Sequence, residues 1–202
     1  MTNVSITPSK LKGTIPAPPS KSDVHRAIIC AALSSKIELH SICTVWGNRP
    51  LSQTTENTLR VVDMLGIGDK VKVYPGCETS MVATLLANRH AGYGGQRKSV
   101  NGGEEKSMHQ ETIDELPPAH TLPQDKRAVM HYVDTIMNSE DGEFTLVPVG
   151  PLTNVAMALR VEPRIAKKIK QIVLMGGGCR RSNSTAAAEF NIWGDPEAAQ
   201  IV

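Results

Sequence analysis

Apolar and polar positions in this chain repeat with two periods. From residue 125 to 138, Ala128, Val129, Tyr132, Val133, Ile136 and Met137 recur at three- and four-residue spacing, which is one face of a helix. The same spacing predicts a helix from Ser20 through Ala27, Ile28, Ala31 and Ala32 to about Leu33. It predicts another from Gln53 to Leu65, with Leu59, Val62 and Leu65 as the buried stripe and Gly66 as the stop. Shorter helices are expected over 79–88, Pro151–Arg160 and Pro163–Lys168. A last one begins at Asp195-Pro196-Glu197, where Asp suits the cap and Pro the first helical position. Residues 3–15, 37–45, Val71–Tyr74, Phe144–Val149 and Ile172–Met175 read as extended or strand segments. Residues 89–124 read as a long polar loop, of a kind that is usually functional or disordered.

Strands alternating with helices predict an α/β fold: an open, mostly parallel sheet with helices on both faces, preceded by an extended N-terminal segment. Ligands in such sheets sit beyond the carboxyl ends of the strands. That directs attention to Trp46-Gly47-Asn48, Gly76-Cys77, Val149-Gly150 and the residues from Gly176 onward.

Composition narrows the class without choosing a function. The 202 residues are 40% hydrophobic and 21% charged, with a formal charge of +2, which favours neither nucleic acid nor membrane partners. No apolar run reaches the roughly 18–20 residues of a membrane helix, and the first residues lack the apolar core of a secretory signal. Cys30, Cys43, Cys77 and Cys179 form no C-x-x-C pair, so neither a disulfide scaffold nor a zinc site is expected, and a cytoplasmic setting is the simplest. With two Trp, three Tyr and two Phe, the core must be largely aliphatic.

Specific motifs add more. Thr44-Val45-Trp46-Gly47-Asn48 is followed by Thr54-Thr55-Glu56-Asn57, Val73-Tyr74-Pro75-Gly76-Cys77, Gly150-Pro151-Leu152-Thr153-Asn154 and Val173-Leu174-Met175-Gly176-Gly177-Gly178. Ala188-Glu189-Phe190-Asn191 and Asp195-Pro196-Glu197-Ala198-Ala199 come last. In this order, residues 37–202 resemble the inosine–uridine nucleoside hydrolases, which cleave the N-glycosidic bond of ribonucleosides to ribose and free base. Residues 1–34 resemble something else. Leu11-Lys12-Gly13-Thr14-Ile15, Pro18-Pro19-Ser20-Lys21-Ser22 and His25-Arg26-Ala27 are similar to the opening of a 3-phosphoshikimate 1-carboxyvinyltransferase. The expected organisation is therefore a transferase-like segment over 1–34 and a hydrolase-like domain over 35–202, truncated at both ends.

The resemblance implies roles by position. Asn48, Met175, Asn183, Glu189, Phe190 and Asn191 fall on the hydrolases' ribose-binding positions, and His90 on a loop near the base. Val149 falls where a backbone carbonyl binds calcium. Lys21, Ser22 and Arg26 fall on the transferase positions that hold anionic groups, a suitable trio for phosphate near a helix start. The family's Asp-rich loop, which supplies calcium ligands and the catalytic base, has no counterpart in the sequence, nor have a later His and Asp. The Ca²⁺ ligand set is thus expected to be incomplete, no catalytic residue is assigned, and catalysis by these residues alone is expected to be weak or absent. A ribonucleoside is the expected partner, and the family allows a homo-oligomer. The alternatives are a remnant transferase anion site and a non-catalytic fusion fragment.

Overall fold

A computed structural model describes residues 38–82, 113–179 and 182–202. Among the described residues, ten elements follow one another: β1 (Ser41–Thr44), α1 (Leu51–Met64), β2 (Lys72–Pro75), α2 (Ala128–Met137), β3 (Thr145–Leu146), α3 (Thr153–Val161), α4 (Ile165–Lys168), β4 (Gln171–Ile172), α5 (Phe190–Gly194) and α6 (Pro196–Ile201). The α/β class and the parallel pairing agree with the sequence pattern. Among the described residues, the strands form two separate two-stranded parallel sheets, β1 with β2 and β3 with β4, rather than one continuous sheet. The first runs from Ser41 opposite Lys72 to Thr44 opposite Pro75. The second holds only Thr145 opposite Gln171 and Leu146 opposite Ile172.

The strands are shorter than the apolar runs suggested, and proline explains part of this. Pro75 closes β2, and Pro148, just past β3, has no N–H to offer a ladder. Single hydrogen bonds continue the second pair, from Val173 N to the Leu146 carbonyl and from Met175 N to the Pro148 carbonyl, both at 2.9 Å.

Helix α1 occupies the crossover between β1 and β2. Its Leu59 and Val62 meet Val73 of β2 in a small core, with Ile42 and Ile67 beside them. Removing each such side chain from water contributes about 1.5–3 kcal/mol. The helix stops as its sequence predicts. Gly66 takes φ +63°. Its N–H bonds the Asp63 carbonyl, and that of Ile67 reaches back to the Val62 carbonyl, a Schellman closure.

The polar face of α1 is equally occupied. Glu56, Asn57, Arg60 and Asp63, at helical spacing, hold residues 113–121 by their backbone. Arg60 donates to the Ile113 and Leu116 carbonyls, Asn57 Oδ1 accepts from Ile113 N, and Glu56 accepts from Ala119 N. Asp63 accepts from His120 N and from both the N–H and the hydroxyl of Thr121. Gln124 N then bonds the Val73 carbonyl at 2.8 Å. The described part of the long loop is thus irregular, as expected, and fastened.

The second core joins Ile136 of α2, Leu146, Val155 and Ala158 of α3, and Ile165 of α4, with Val129, Tyr132, Val133 and Met137 around it. The stripe predicted for α2 therefore packs as expected. A third cluster sets Leu152 and Ala156 against Ala198 of α6. One expectation needs correction, and one element has no counterpart in the sequence pattern. Residues 79–82 are bends rather than the start of a helix. Phe190–Gly194, for which the sequence pattern predicts no element, is helical. The predicted extended segment over 3–15 and the helix over 20–33 lie outside the described residues. No helix among those described is long and apolar enough to cross a membrane.

Candidate functional site

The carboxyl ends of the four strands converge on a set of buried polar side chains. Asn154, in the first turn of α3 and 4% exposed, spans the ends of the first ladder. Its Nδ2 donates to the Thr44 carbonyl at 2.9 Å, and its Oδ1 accepts from Cys77 N at 2.8 Å. Gly76 allows this approach, because a Cβ there would lie inside the van der Waals shell of the Asn154 carboxamide. A buried hydrogen bond between the Thr44 and Thr55 hydroxyls, 2.8 Å, ties β1 to α1.

Asn191, 2% exposed, does the corresponding work at the second ladder. Its Nδ2 donates to the Met175 carbonyl at 2.8 Å and to the Val149 carbonyl at 3.1 Å, with Met175 Sδ at 3.3 Å. The helix carrying it, α5, is closed at its start by two side chains. Asn183 Oδ1 accepts from Phe190 N at 2.8 Å. Glu189 Oε2 accepts from Asn191 N at 2.8 Å and Ile192 N at 3.4 Å. Both satisfy N–H groups that a helix start leaves without intrahelical partners.

Five of the six ribose positions named from the sequence are therefore joined by direct bonds: Met175, Asn183, Glu189, Phe190 and Asn191. Glu189 and Phe190 are buried, Met175 is half-buried and Asn183 is exposed. Asn48 lies half-buried in the loop after β1. Its neighbour Gly47 lies against Pro151, and a Cβ there would stand 3.2 Å from Pro151 Cδ and 4.0 Å from the Phe190 ring. His90, Lys21, Ser22 and Arg26 lie outside the described residues.

The sequence reading missed a further group. Trp46, Thr153 and Asp195 are buried together. The indole Nε1 donates to Thr153 Oγ1 at 3.0 Å, and that hydroxyl donates to Asp195 Oδ2 at 2.6 Å. Asp195 also caps α6, as predicted, accepting from Ala198 N at 3.1 Å. A pairing of Trp46 with Thr153 leaves no local pattern, since their separation in sequence is long.

Two thiols lie in this region. Desolvation by burial pushes Cys43 up to about 12, opposed by a hydrogen bond with Tyr132. Burial, with the Asp195 charge beside it, pushes Cys77 up to about 11. Both stay protonated at neutral pH, so neither is a nucleophile in its present setting.

Calcium takes six to eight oxygen ligands, usually including carboxylates. Among the described residues, no group of three His, Cys, Asp or Glu side chains could hold a metal ion. The Val149 carbonyl, the one ligand named from the sequence, already accepts from Asn191. These residues do not fit a calcium site.

The comparisons with known proteins bear on this geometry. The model of the inosine-uridine preferring nucleoside hydrolases matches residues 22–202, and the chain belongs to that family. It is 40% identical over 177 residues to the inosine-uridine preferring nucleoside hydrolase of Crithidia fasciculata, covering 87% of this chain and 51% of that protein. It is also 40% identical over 177 residues to a pyrimidine-specific ribonucleoside hydrolase of Escherichia coli, with the same coverage. Among solved structures, a purine-preferring ribonucleoside hydrolase from Gardnerella vaginalis superposes with a TM-score of 0.69 at 31% identity. That match covers 89% of this chain and 53% of the other. The chain spans about half the length of these relatives.

Proposed function

We propose that this chain binds ribonucleosides and serves N-glycosidic bond cleavage, its described residues forming the side of the site that holds ribose. The observation that carries this reading is the bonded cluster of Met175, Asn183, Glu189, Phe190 and Asn191 at the carboxyl ends of β3 and β4. In this reading Met175 packs against the sugar ring, while Glu189 and Asn48 supply polar groups to its hydroxyls. Asn191 already spends its amide nitrogen on two backbone carbonyls, so from that atom it holds Met175 and Val149 in place. Asn183 contributes by closing the start of α5.

The reaction such a site serves breaks the bond between the anomeric carbon and the base nitrogen, water's oxygen joining the carbon as a hydroxyl and its other proton going to the departing nitrogen. Fixing the sugar lowers the orientational part of that barrier. The test is calorimetric titration of the 202-residue chain with inosine, uridine and ribose, alongside a ribose-release assay with and without calcium. Saturable binding of a ribonucleoside at one site per chain is expected, with release weak or absent. Failure of all three ligands to bind would overturn the reading.

A further inference from the structure

Asp195 receives hydrogen bonds from three separate segments. Thr153 Oγ1 reaches Oδ2 from α3 at 2.6 Å, and Met81 N reaches the same oxygen from the stretch after β2 at 3.0 Å. Ala198 N reaches Oδ1 from α6 at 3.1 Å. Asp195 has no exposed surface, Thr153 is 1% exposed and Trp46 is 5% exposed. A hydroxyl has one proton to give. Because Thr153 accepts from the Trp46 indole N–H, its own proton points at the carboxylate, and the chain indole to hydroxyl to carboxylate has a fixed direction. An apolar residue would fill this place without the cost of burying a charge, so the arrangement invites a reason beyond packing.

Both ends of the relay adjoin the ribose cluster. Trp46 lies two positions before Asn48, and its backbone N–H bonds the Cys77 carbonyl at 3.1 Å. Its ring lies on the backbone of Gly194, where a Cβ would stand 2.9 Å from the indole. Asp195 ends α5, the helix that carries Asn191. We propose that Asp195 and Thr153 are positioning residues: through Trp46 they hold the Asn48 loop in register with the helix bearing Glu189 and Asn191. The inference rests on the ribose reading for the site it serves, though the register itself can be measured without any ligand.

The experiment compares the full chain with Thr153→Val, which keeps shape and removes the hydroxyl, and with Thr153→Ser, which returns it. Nuclear magnetic resonance follows the Trp46 indole N–H and the side-chain amides of Asn48 and Asn191. Titration with inosine follows affinity. In Thr153→Val the indole signal and the Asn48 amide both move, inosine binds about tenfold more weakly, and Thr153→Ser restores all three. If Thr153→Val shifts the indole alone, with the Asn48 and Asn191 amides where they were, the proposal falls and the relay is packing only. Unchanged inosine affinity in Thr153→Val overturns it equally. If the unaltered chain binds no nucleoside while the Asn48 amide still follows the Thr153 hydroxyl, the ribose reading fails and the register assignment stands. Should Thr153→Val not fold, Trp46→Phe removes the indole donor and leaves the hydroxyl–carboxylate pair intact. It must then move the Asn48 amide, and an unmoved signal overturns the proposal.

Discussion

The two strand–helix–strand units of this molecule solve the same problem with unequal means. In β1–α1–β2 the ladder pairs four residues on each strand, and both faces of the crossover helix are used, the apolar one on the sheet and the polar one on the loop. In β3–α3–α4–β4 the ladder pairs two, and Val147, Val173 and Leu174 stay 45%, 52% and 42% exposed. Yet each unit has an asparagine at the carboxyl end of its strands. Asn154 bridges Thr44 and Cys77, and Asn191 bridges Val149 and Met175. Where backbone pairing gives out, a buried carboxamide takes over the polar groups that would otherwise be left dry. The first unit has a ladder and a stitch, while the second relies more heavily on the stitch.

The strongest challenge to that comparison is Gly76→Ala. The added methyl displaces the Asn154 carboxamide, so overpacking and two lost hydrogen bonds combine. A loss of about 3–5 kcal/mol is expected in denaturant unfolding. A loss under about 1 kcal/mol would mean that Asn154 swings aside freely and that the first unit needs no stitch. Next is Asn191→Ala, which strips the donor from the Val149 and Met175 carbonyls. Its expected cost is about 2–3 kcal/mol. Hydrogen exchange should place the opening at β4 while β1 and β2 stay protected, and uniform opening would dissolve the distinction between the units.

The smallest effect comes from acid. The Thr121 hydroxyl, then the His120 N–H, hold the Asp63 carboxyl below its ordinary value of 3.8. Hydrogen bonding by Arg60, then by the Ala119 N–H, lowers Glu56 as well. A carboxylate with a lowered folded pKa contributes stability that is complete above its unfolded value and fades as pH falls through the folded one. The His120 and Thr121 amides should therefore exchange faster as the pH drops below the ordinary carboxylate range, with the second unit unaffected. Asp63→Asn should flatten that dependence, and an unchanged profile in the variant would assign it elsewhere.

What could be read from the sequence follows from the range of each interaction. Helices α1 and α2 were legible because their stripes repeat over several turns, and α6 because Asp195-Pro196 signals its start locally. The Gly66 stop belongs with them. The α5 helix was not legible: five residues are too few for a period, and its cap is a glutamate supported by Asn183 rather than a preferred N-cap residue. The fastening of residues 113–121 was hidden for a different reason. Glu56, Asn57, Arg60 and Asp63 have the spacing of any polar helix face, and only the fold shows that they face backbone. Of the candidate site, Asn48, Met175 and the Glu189–Asn191 run could be named through motif resemblance. Trp46, Thr153 and Asp195 stand in the same motifs, but their bonding to one another could not be read, since nothing local links positions so far apart in sequence.

The close approach of Gly76 to Asn154 also restricts how this sequence can change over generations. A larger residue at position 76 needs a smaller one at 154, yet a smaller one at 154 by itself leaves the Thr44 carbonyl and the Cys77 N–H stranded. Single steps from either side lead downhill. The two positions, far apart in the chain, are thus bound into one unit of inheritance, and a path away from this pair must alter both together or pass through a less stable protein.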